Sequence, residues 1–458
     1  MNKQPYAEPW RIKMVEPLKI LSKEQREAKI KAAEYNLFSL DAEDVYIDLI
    51  TDSGTNAMSD RQWSALMLGD ESYAGSRSFL RMKKTIQELL GFEYIMPTHQ
   101  GRAAENVLFS VMLKAHDLVP GNAHFDTTKG HIEFRHAIAV DCTVDEASDM
   151  DSELPFKGNV DIAKLEACIK AHGVEKIPFM VLTVTCNTGG GQPVSMANIK
   201  AVAKVCKQHK IPLIFDSARF AENAYFIKIR EDGYQKKTIK EIVKEMFSYA
   251  DGMTMSAKKD GIINMGGFIG LRSEEIYRQC CTFSIMFEGY ITYGGMSGRD
   301  METLATGLLE STEFDYLQAR ISQVKYLGDE ITKLGIPIVK PAGGHAIYVD
   351  AKSFFPQIPQ TQYPAQVLGV ALYVEAGVRG VEIGTVLADR DPETRVERIP
   401  KMELLRLAIP RRVYTNNHMD IVVWGLQQIW AKREAYRGLK IKYEAPIMRH
   451  FTATFETL

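Results

Sequence analysis

Two adjacent lysines, Lys258 and Lys259, close the apolar run Met253-Thr-Met-Ser-Ala-Lys-Lys-Asp260, where a buried strand would ordinarily end in a turn. Ammonium groups are almost never fully buried without a partner, so such a pair is most simply a solvated surface patch. A second apolar run, Ile211-Pro-Leu-Ile-Phe215, ends in Asp216-Ser-Ala-Arg219 and puts a carboxylate and a cation at the end of a neighbouring strand. Ligands of open α/β sheets bind at such strand ends. A lysine and an aspartate so placed suit one chemistry: the amine forms an imine with the aldehyde of pyridoxal phosphate, and the carboxylate pairs with the protonated pyridine nitrogen. The lysine can later act as a base once its surroundings lower its pKa. Arginine can do neither.

Other residues fit around such a cofactor. Thr98-His-Gln-Gly-Arg102 leads into a helical stretch, Ala103–Leu113, so the N–H groups of a helix start face any anion at Gln100, Gly101 and Arg102. On this motif alone a plain glycine turn is an equally good reading. Ser256 can donate to the same phosphate. Asn187, ahead of Gly189-Gly-Gly-Gln-Pro193, can reach the phenolic oxygen of the cofactor, and a structural turn explains it equally well. Phe125 can stack on the pyridine ring, although a lone aromatic is ordinarily core. Arg406 lies inside the apolar run Leu404-Leu-Arg-Leu-Ala-Ile409 and needs a partner if buried; a substrate carboxylate supplies a bidentate one.

The elements that must hold these residues alternate in type. Residues 177–185 read as a strand, 195–209 as a helix and 211–215 as a strand, which makes a βαβ unit and an α/β fold with a mostly parallel sheet. A large domain is expected over 57–311. The stretch 1–56 is expected to form an N-terminal arm and part of a second, smaller α+β domain completed by 312–458, with a long helix at about 310–334 and a strand at Ala346–Asp350. Within the charged stretch Asp389–Arg398, Asp389–Arg395 reads as a solvated loop.

The chain has 458 residues, with 56 Lys+Arg against 58 Asp+Glu and a net charge of −2, which gives no electrostatic footprint for nucleic acid or an anionic membrane. The start, Met1-Asn-Lys-Gln-Pro5, lacks the apolar stretch of a signal peptide, and no apolar run is long enough to span a bilayer. A soluble, cytoplasmic protein is expected. Six cysteines without Cys-x-x-Cys spacing read as reduced thiols, not a metal or disulfide framework.

Seven segments in order resemble the β-eliminating lyase family, whose branches are tryptophan indole-lyase and tyrosine phenol-lyase: Leu49–Thr55, Gly69–Gly75, Pro97–Arg102, Gly190–Ala197, Asp216–Ile227, Met255–Asp260 and Arg411–Tyr414. The resemblance runs along nearly the whole chain. It implies an aspartate-aminotransferase-like fold (pyridoxal-phosphate fold type I), a homotetramer and activation by potassium. It makes Lys259 the attachment lysine, with Lys258 beside it, and Asp216 the partner of the pyridine nitrogen. Arg219 and Asn187 become neighbours of the ring, Phe125 the stacking side chain, and Gln100, Gly101, Arg102 and Ser256 the phosphate shell. Arg406 becomes the carboxylate clamp, Thr51 and Ser53 contact substrate, Gly54, Glu71 and Asn264 hold the monovalent cation, and Tyr73 is the candidate acid. On chemistry alone either lysine can carry the cofactor.

The same resemblance separates the two branches. Phenol-lyases carry an arginine where Gly377-Val-Arg-Gly-Val-Glu-Ile-Gly384 has Ile383. An apolar side chain there leaves a phenolic hydroxyl without its partner, a cost on the order of 1 to 3 kcal/mol, or roughly five- to 150-fold in discrimination. Phenol-lyases also have threonine where this chain has Asp126 and phenylalanine where it has His450. Asp126 can accept from an indole N–H, and His450 can orient that carboxylate. The expected reaction is therefore a carbon–carbon lyase step, L-tryptophan to indole, pyruvate and ammonium. Tyrosine phenol-lyase activity is the nearest alternative, and an aminotransferase on the same fold a more distant one.

Overall fold

The computed structural model of the protein describes residues 7–391 and 393–458, so the chain start Met1–Pro5 lies outside the described residues. Two compact units divide the chain: one is built mainly from residues 53–147 and 154–321, the other from 10–52, 148–153 and 322–458. Among the described residues no helix is long and apolar enough to cross a membrane.

The first unit holds a seven-stranded sheet of β1 (Tyr94–Thr98), β2 (Leu118–Gly121), β3 (Ile138–Asp141), β4 (Met180–Thr183), β5 (Leu213–Asp216), β6 (Gly252–Ser256) and β7 (Gly267–Leu271), in the order β1-β7-β6-β5-β4-β2-β3. β7 is antiparallel to both of its neighbours, and every other pair is parallel. Parallel strands need crossover elements, and the helix Met196–His209 between β4 and β5 is one. It starts at Ser195, whose hydroxyl accepts from the Asn198 N–H. Pro212 has no N–H for a ladder, and the strand begins after it.

Two further helices matter for the site. In α1 (Gly101–Met112), Ala104, Val107 and Leu108 pack with Met96 of β1, Val181 of β4, Ile214 of β5 and Ile269 of β7. Each such large apolar side chain contributes about 1.5–3 kcal/mol on burial, so this helix is held firmly over the sheet. α2 spans Asp126–Phe134 and follows β2. Register then aligns the strand ends: Thr183 pairs with Asp216, and Asp216 with Thr254, so β4, β5 and β6 finish abreast.

The long helix expected at about 310–334 is Phe314–Lys333, and a separate helix, Gly298–Glu310, precedes it. Ser311 Oγ and Thr312 Oγ1 donate to the carbonyls of Leu308 and Leu309 at 3.0 and 2.8 Å, competing with the backbone and ending the first helix.

In the second unit, β8 (Ala346–Asp350), β9 (Val381–Ile383) and β10 (Leu404–Ala408) form an antiparallel sheet in the order β9-β10-β8, with Arg406 opposite both Val381 and Tyr348. The stretch expected as a solvated loop is one, exposed at Glu393–Val396, and an ion-pair network ties its ends: Arg390 reaches Glu397 at 3.0 Å and Glu444 at 2.5 Å, and Arg449 pairs with both acids. Pro392 within it lies outside the described residues.

Candidate active site

A pocket opens at the joined ends of β4, β5 and β6, where the sequence placed its reactive groups. Gln100, Gly101, Arg102, Phe125, Asn187, Asp216, Arg219, Ser256, Lys258 and Lys259 all line it, together with Ser53. All of these belong to the first unit.

Lys259 follows β6 in a turn that is pinned from behind. The buried carboxylate of Asp260 accepts from the N–H groups of Ala221 and Glu222 at 2.8 and 3.2 Å, at the start of the helix Phe220–Arg230, where a negative charge is favoured. Lys259 Nζ donates to Ser256 Oγ at 2.9 Å and lies 5.8 Å from the centre of the Phe125 ring. Lys258 is tied through its carbonyl, which accepts from Gly54 N and Asn56 Nδ2 at 2.8 Å each. Burial, and then the charge of Arg102, lowers the Lys258 pKa.

Asp216 ends β5, and its carbonyl accepts from Val184 N at 2.9 Å. Enclosure raises its carboxyl pKa, while Lys259 and Arg219 pull it down. Arg219 is 4 % exposed and is fixed by an N–H bond to the Val184 carbonyl at 3.2 Å. Asn187 is buried at the turn after β4, where its carbonyl accepts from Gly190 and Gly191, both in the left-handed region that glycine reaches freely.

The residues present fit pyridoxal phosphate. The first helical residue of α1 is Gly101, and no side chain caps this helix start, so its N–H groups are open to an anion. A side chain at Gly101 would not fit, since a Cβ there would sit 2.5 Å from Ser256 Cβ; backbone and serine hydroxyl thus share one cradle. Thr183 Oγ1 and Thr185 Oγ1 are buried in the same pocket without a hydrogen-bond partner in the chain, as groups awaiting a polar ligand would be.

Four expected substrate residues belong to the second unit. Arg406 donates through Nη2 to the Ile50 carbonyl at 3.1 Å, next to Thr51. Ile383 is 8 % exposed and packs with Ile50, Tyr348 and Leu404. His450 is buried, its ring centre 3.8 Å from that of Phe451. Arg449 ties these two positions together: its guanidinium donates to the carbonyls of Thr385 and Val386 at 2.7 and 3.1 Å, just after Ile383, and it is the chain neighbour of His450. Glu382 accepts from Val386 N and Leu387 N at 2.9 Å each, and burial beside Glu403 raises its pKa well above the usual value.

Two expectations meet a different setting. Tyr73 is 68 % exposed, does not line the pocket of this chain, and stacks on Tyr290 and against Tyr293 at ring distances of 5.7 and 5.2 Å. Of the three cation residues, the Gly54 carbonyl accepts from Asn264 Nδ2 at 2.8 Å. The Glu71 carboxylate is taken up by Gly298 N and by Arg299 N and Nε at 2.9, 3.2 and 3.1 Å. Each of these oxygens thus already accepts hydrogen bonds within the chain.

Seven pocket residues escaped the sequence reading: Glu105, Thr127, Thr183, Val184, Thr185, Ala218 and Thr254. The signal for Glu105 was a carboxylate between Ala103-Ala104 and Val107-Leu108. Thr183, Thr185 and Thr254 had none, since threonine is an ordinary strand residue.

The family described as Beta-eliminating lyase matches residues 48–424. A "Probable beta-eliminating lyase" of Trichomonas vaginalis is 62% identical over 99% of both chains. A "Tyrosine phenol-lyase" of Symbiobacterium sp. is 53% identical over 99% of both, and a "Tryptophanase" of Salinibacter ruber is 52% identical over 97% of this chain and 94% of its own. Among solved structures, the aromatic aminotransferase of Pyrococcus horikoshii superposes with a TM-score of 0.60 at 13% identity, over 89% of this chain and 99% of its own. The fold is thus that of the aspartate-aminotransferase-like α/β enzymes.

Proposed function

The chain belongs to the beta-eliminating lyase family, and from that premise we propose that it is a pyridoxal-phosphate enzyme cleaving L-tryptophan to indole, pyruvate and ammonium. The observation that carries this reading is the convergence of Lys259, Asp216 and the uncapped start of α1 on one pocket. When bound, the cofactor supplies an electron sink for charge developing at the substrate α-carbon.

The chain's own residues do the rest. Gly101, Arg102 and Ser256 bind the phosphate through N–H, guanidinium and hydroxyl donors. Asp216 holds a proton at the ring nitrogen, and Phe125 packs on the ring face. Lys259 would hold the aldehyde, and its amine would take the proton from the substrate α-carbon. Arg406 orients the substrate carboxylate through a bidentate pair, and Thr51 and Ser53 contact the substrate. Asp126 accepts the indole N–H, and Ile383 offers an apolar wall that gives a phenolic hydroxyl nothing to bind. Indole leaves only after its C3 is protonated, and Tyr73 is the proposed acid. The assembly proposed is a homotetramer; Met67 at 81 % exposure and Phe287 at 58 % are apolar surfaces that an interface would cover.

A second reading, L-tyrosine to phenol, pyruvate and ammonium, is favoured by the name of the Symbiobacterium relative, since its 53% identity stands beside 52% for the tryptophanase. Turnover of both amino acids side by side decides between them. With pyridoxal phosphate added, and potassium present or replaced by sodium, pyruvate matched by indole supports the first reading. Pyruvate matched by phenol supports the second, and no pyruvate from either contradicts both.

A further inference from the structure

The pocket contains one carboxyl group that the reaction above leaves without a task. Glu105 lies on α1 just beyond Gly101 and Arg102, is 5 % exposed, and lines the same pocket as Lys259 and Asp216. Its neighbours on the helix are apolar: Ala103, Ala104, Val107 and Leu108 are all buried core. Packing alone would be served by an apolar residue, without the cost of enclosing an ionisable group.

Its hydrogen bonds show what it does. Thr127 Oγ1 donates to Glu105 Oε2 at 2.7 Å, and Thr128 Oγ1 donates to Oε1. Both threonines are buried in the first turn of α2, directly after Phe125 and Asp126. One carboxyl group therefore joins the helix that cradles the phosphate to the helix start that carries the stacking ring and the indole acceptor.

The charged groups facing Glu105 from other elements are Asp216 on β5 and Asp126 on α2, while Lys259 and Arg219 line the pocket on the Asp216 side. Three neighbouring carboxyl groups do not all ionise together, and the cations favour the charge on Asp216. We propose that Glu105 is a positioning residue that holds the exchangeable proton of this pocket and, through Thr127 and Thr128, sets the helix start bearing Phe125 and Asp126. Burial, followed by Asp216, pushes its pKa up to about 7 against the two threonine bonds, which lower it; the protonated acid donates to one threonine hydroxyl and accepts from the other. Its protonation leaves Asp216 free to stay ionised for the pyridine nitrogen, so this role rests on the cofactor reading above.

Infrared difference spectra of the apoprotein between about pH 6 and about pH 8 read the proton directly. The wild type is expected to lose a carboxylic-acid carbonyl band that Glu105→Gln does not show. Pyridoxal phosphate binding, measured at each pH, supplies the second readout. The ratio of dissociation constants between Glu105→Gln and wild type is expected to change roughly tenfold across that window. Glu105→Asp keeps the acid but shortens its reach, so it should retain the pH step while binding more weakly. A flat ratio, or a band unchanged in Glu105→Gln, overturns the role. If the wild type binds no pyridoxal phosphate at any pH, the cofactor reading fails instead, and the infrared band alone decides whether Glu105 holds the proton.

Discussion

Lys259 and Ile383 are both held in place, but by different forces. Lys259 is held by backbone: strand register sets the end of β6, and the Asp260 carboxylate on two helix N–H groups fixes the turn beyond it. Ile383 ends the short strand β9, paired with Leu404 and packed on Ile50 and Tyr348, and the segment just after it is held largely by charges brought from far along the chain. Arg449 spans the Thr385 and Val386 carbonyls and the acids Glu397 and Glu444, and Arg390 bridges the same two acids. The reactive centre thus rests on the sheet itself, whereas the region assigned to substrate choice rests on a replaceable ionic frame. A protein so built can alter what it accepts without disturbing its chemistry.

The largest effect should come from the sheet-held side. Lys259→Ala is expected to lower turnover by roughly 10³-fold or more and to remove the visible absorbance of bound pyridoxal phosphate, while thermal stability changes little. Retention of that absorbance would remove Lys259 from the account.

Breaking the ionic frame should do the opposite. Arg449→Met leaves Glu397 and Glu444 without their buried partner, and destabilisation of about 3–5 kcal/mol is expected in urea unfolding. Pyridoxal phosphate absorbance of the folded fraction should be unchanged, whereas its loss together with folding would show that the two regions do not separate.

Next in size is a pH effect on the reactive side. The Glu105 carboxyl has a pKa of about 7 when folded, against an ordinary value of 4.5. The unfolded chain releases this proton first, so the contribution of Glu105 to stability falls as pH rises from about 4.5 to 7 and is fully lost above. Glu105→Gln removes that slope. Relative to wild type, the apoprotein variant should gain on the order of 3 kcal/mol between about pH 4 and about pH 8, read as the change in urea midpoint.

The smallest effect concerns substrate choice. Ile383→Arg is expected to raise phenol release relative to indole release by roughly five- to 150-fold, a difference on the order of 1 to 3 kcal/mol. An unchanged ratio would move substrate choice away from this position.

This division also explains what the sequence revealed. Lys259, Asp216 and Gly101 were legible because each lies in a short contiguous motif whose neighbours dictate its strand end or helix start. The βαβ unit was legible for the same reason, through the period of its apolar residues. Arg449, Glu397 and Glu444 are ordinary charged residues in isolation, and only the folded chain pairs them; the exposed loop at 393–396 was legible, the ion pairs that tie its ends were not. Glu105 was hidden differently, since its partners Thr127 and Thr128 lie a helix and a strand further along. The stop of the preceding helix Gly298–Glu310 turned on two hydroxyl bonds to carbonyls, which apolar periodicity does not register.

The central claim is that Lys259, at the joined strand ends, carries pyridoxal phosphate. Borohydride reduction of the protein loaded with the cofactor, followed by peptide mass mapping, tests it most directly. The account predicts a stable pyridoxyl-phosphate adduct on Lys259 with Lys258 unmodified. An adduct on Lys258 instead, or none on the peptide containing both, would contradict it.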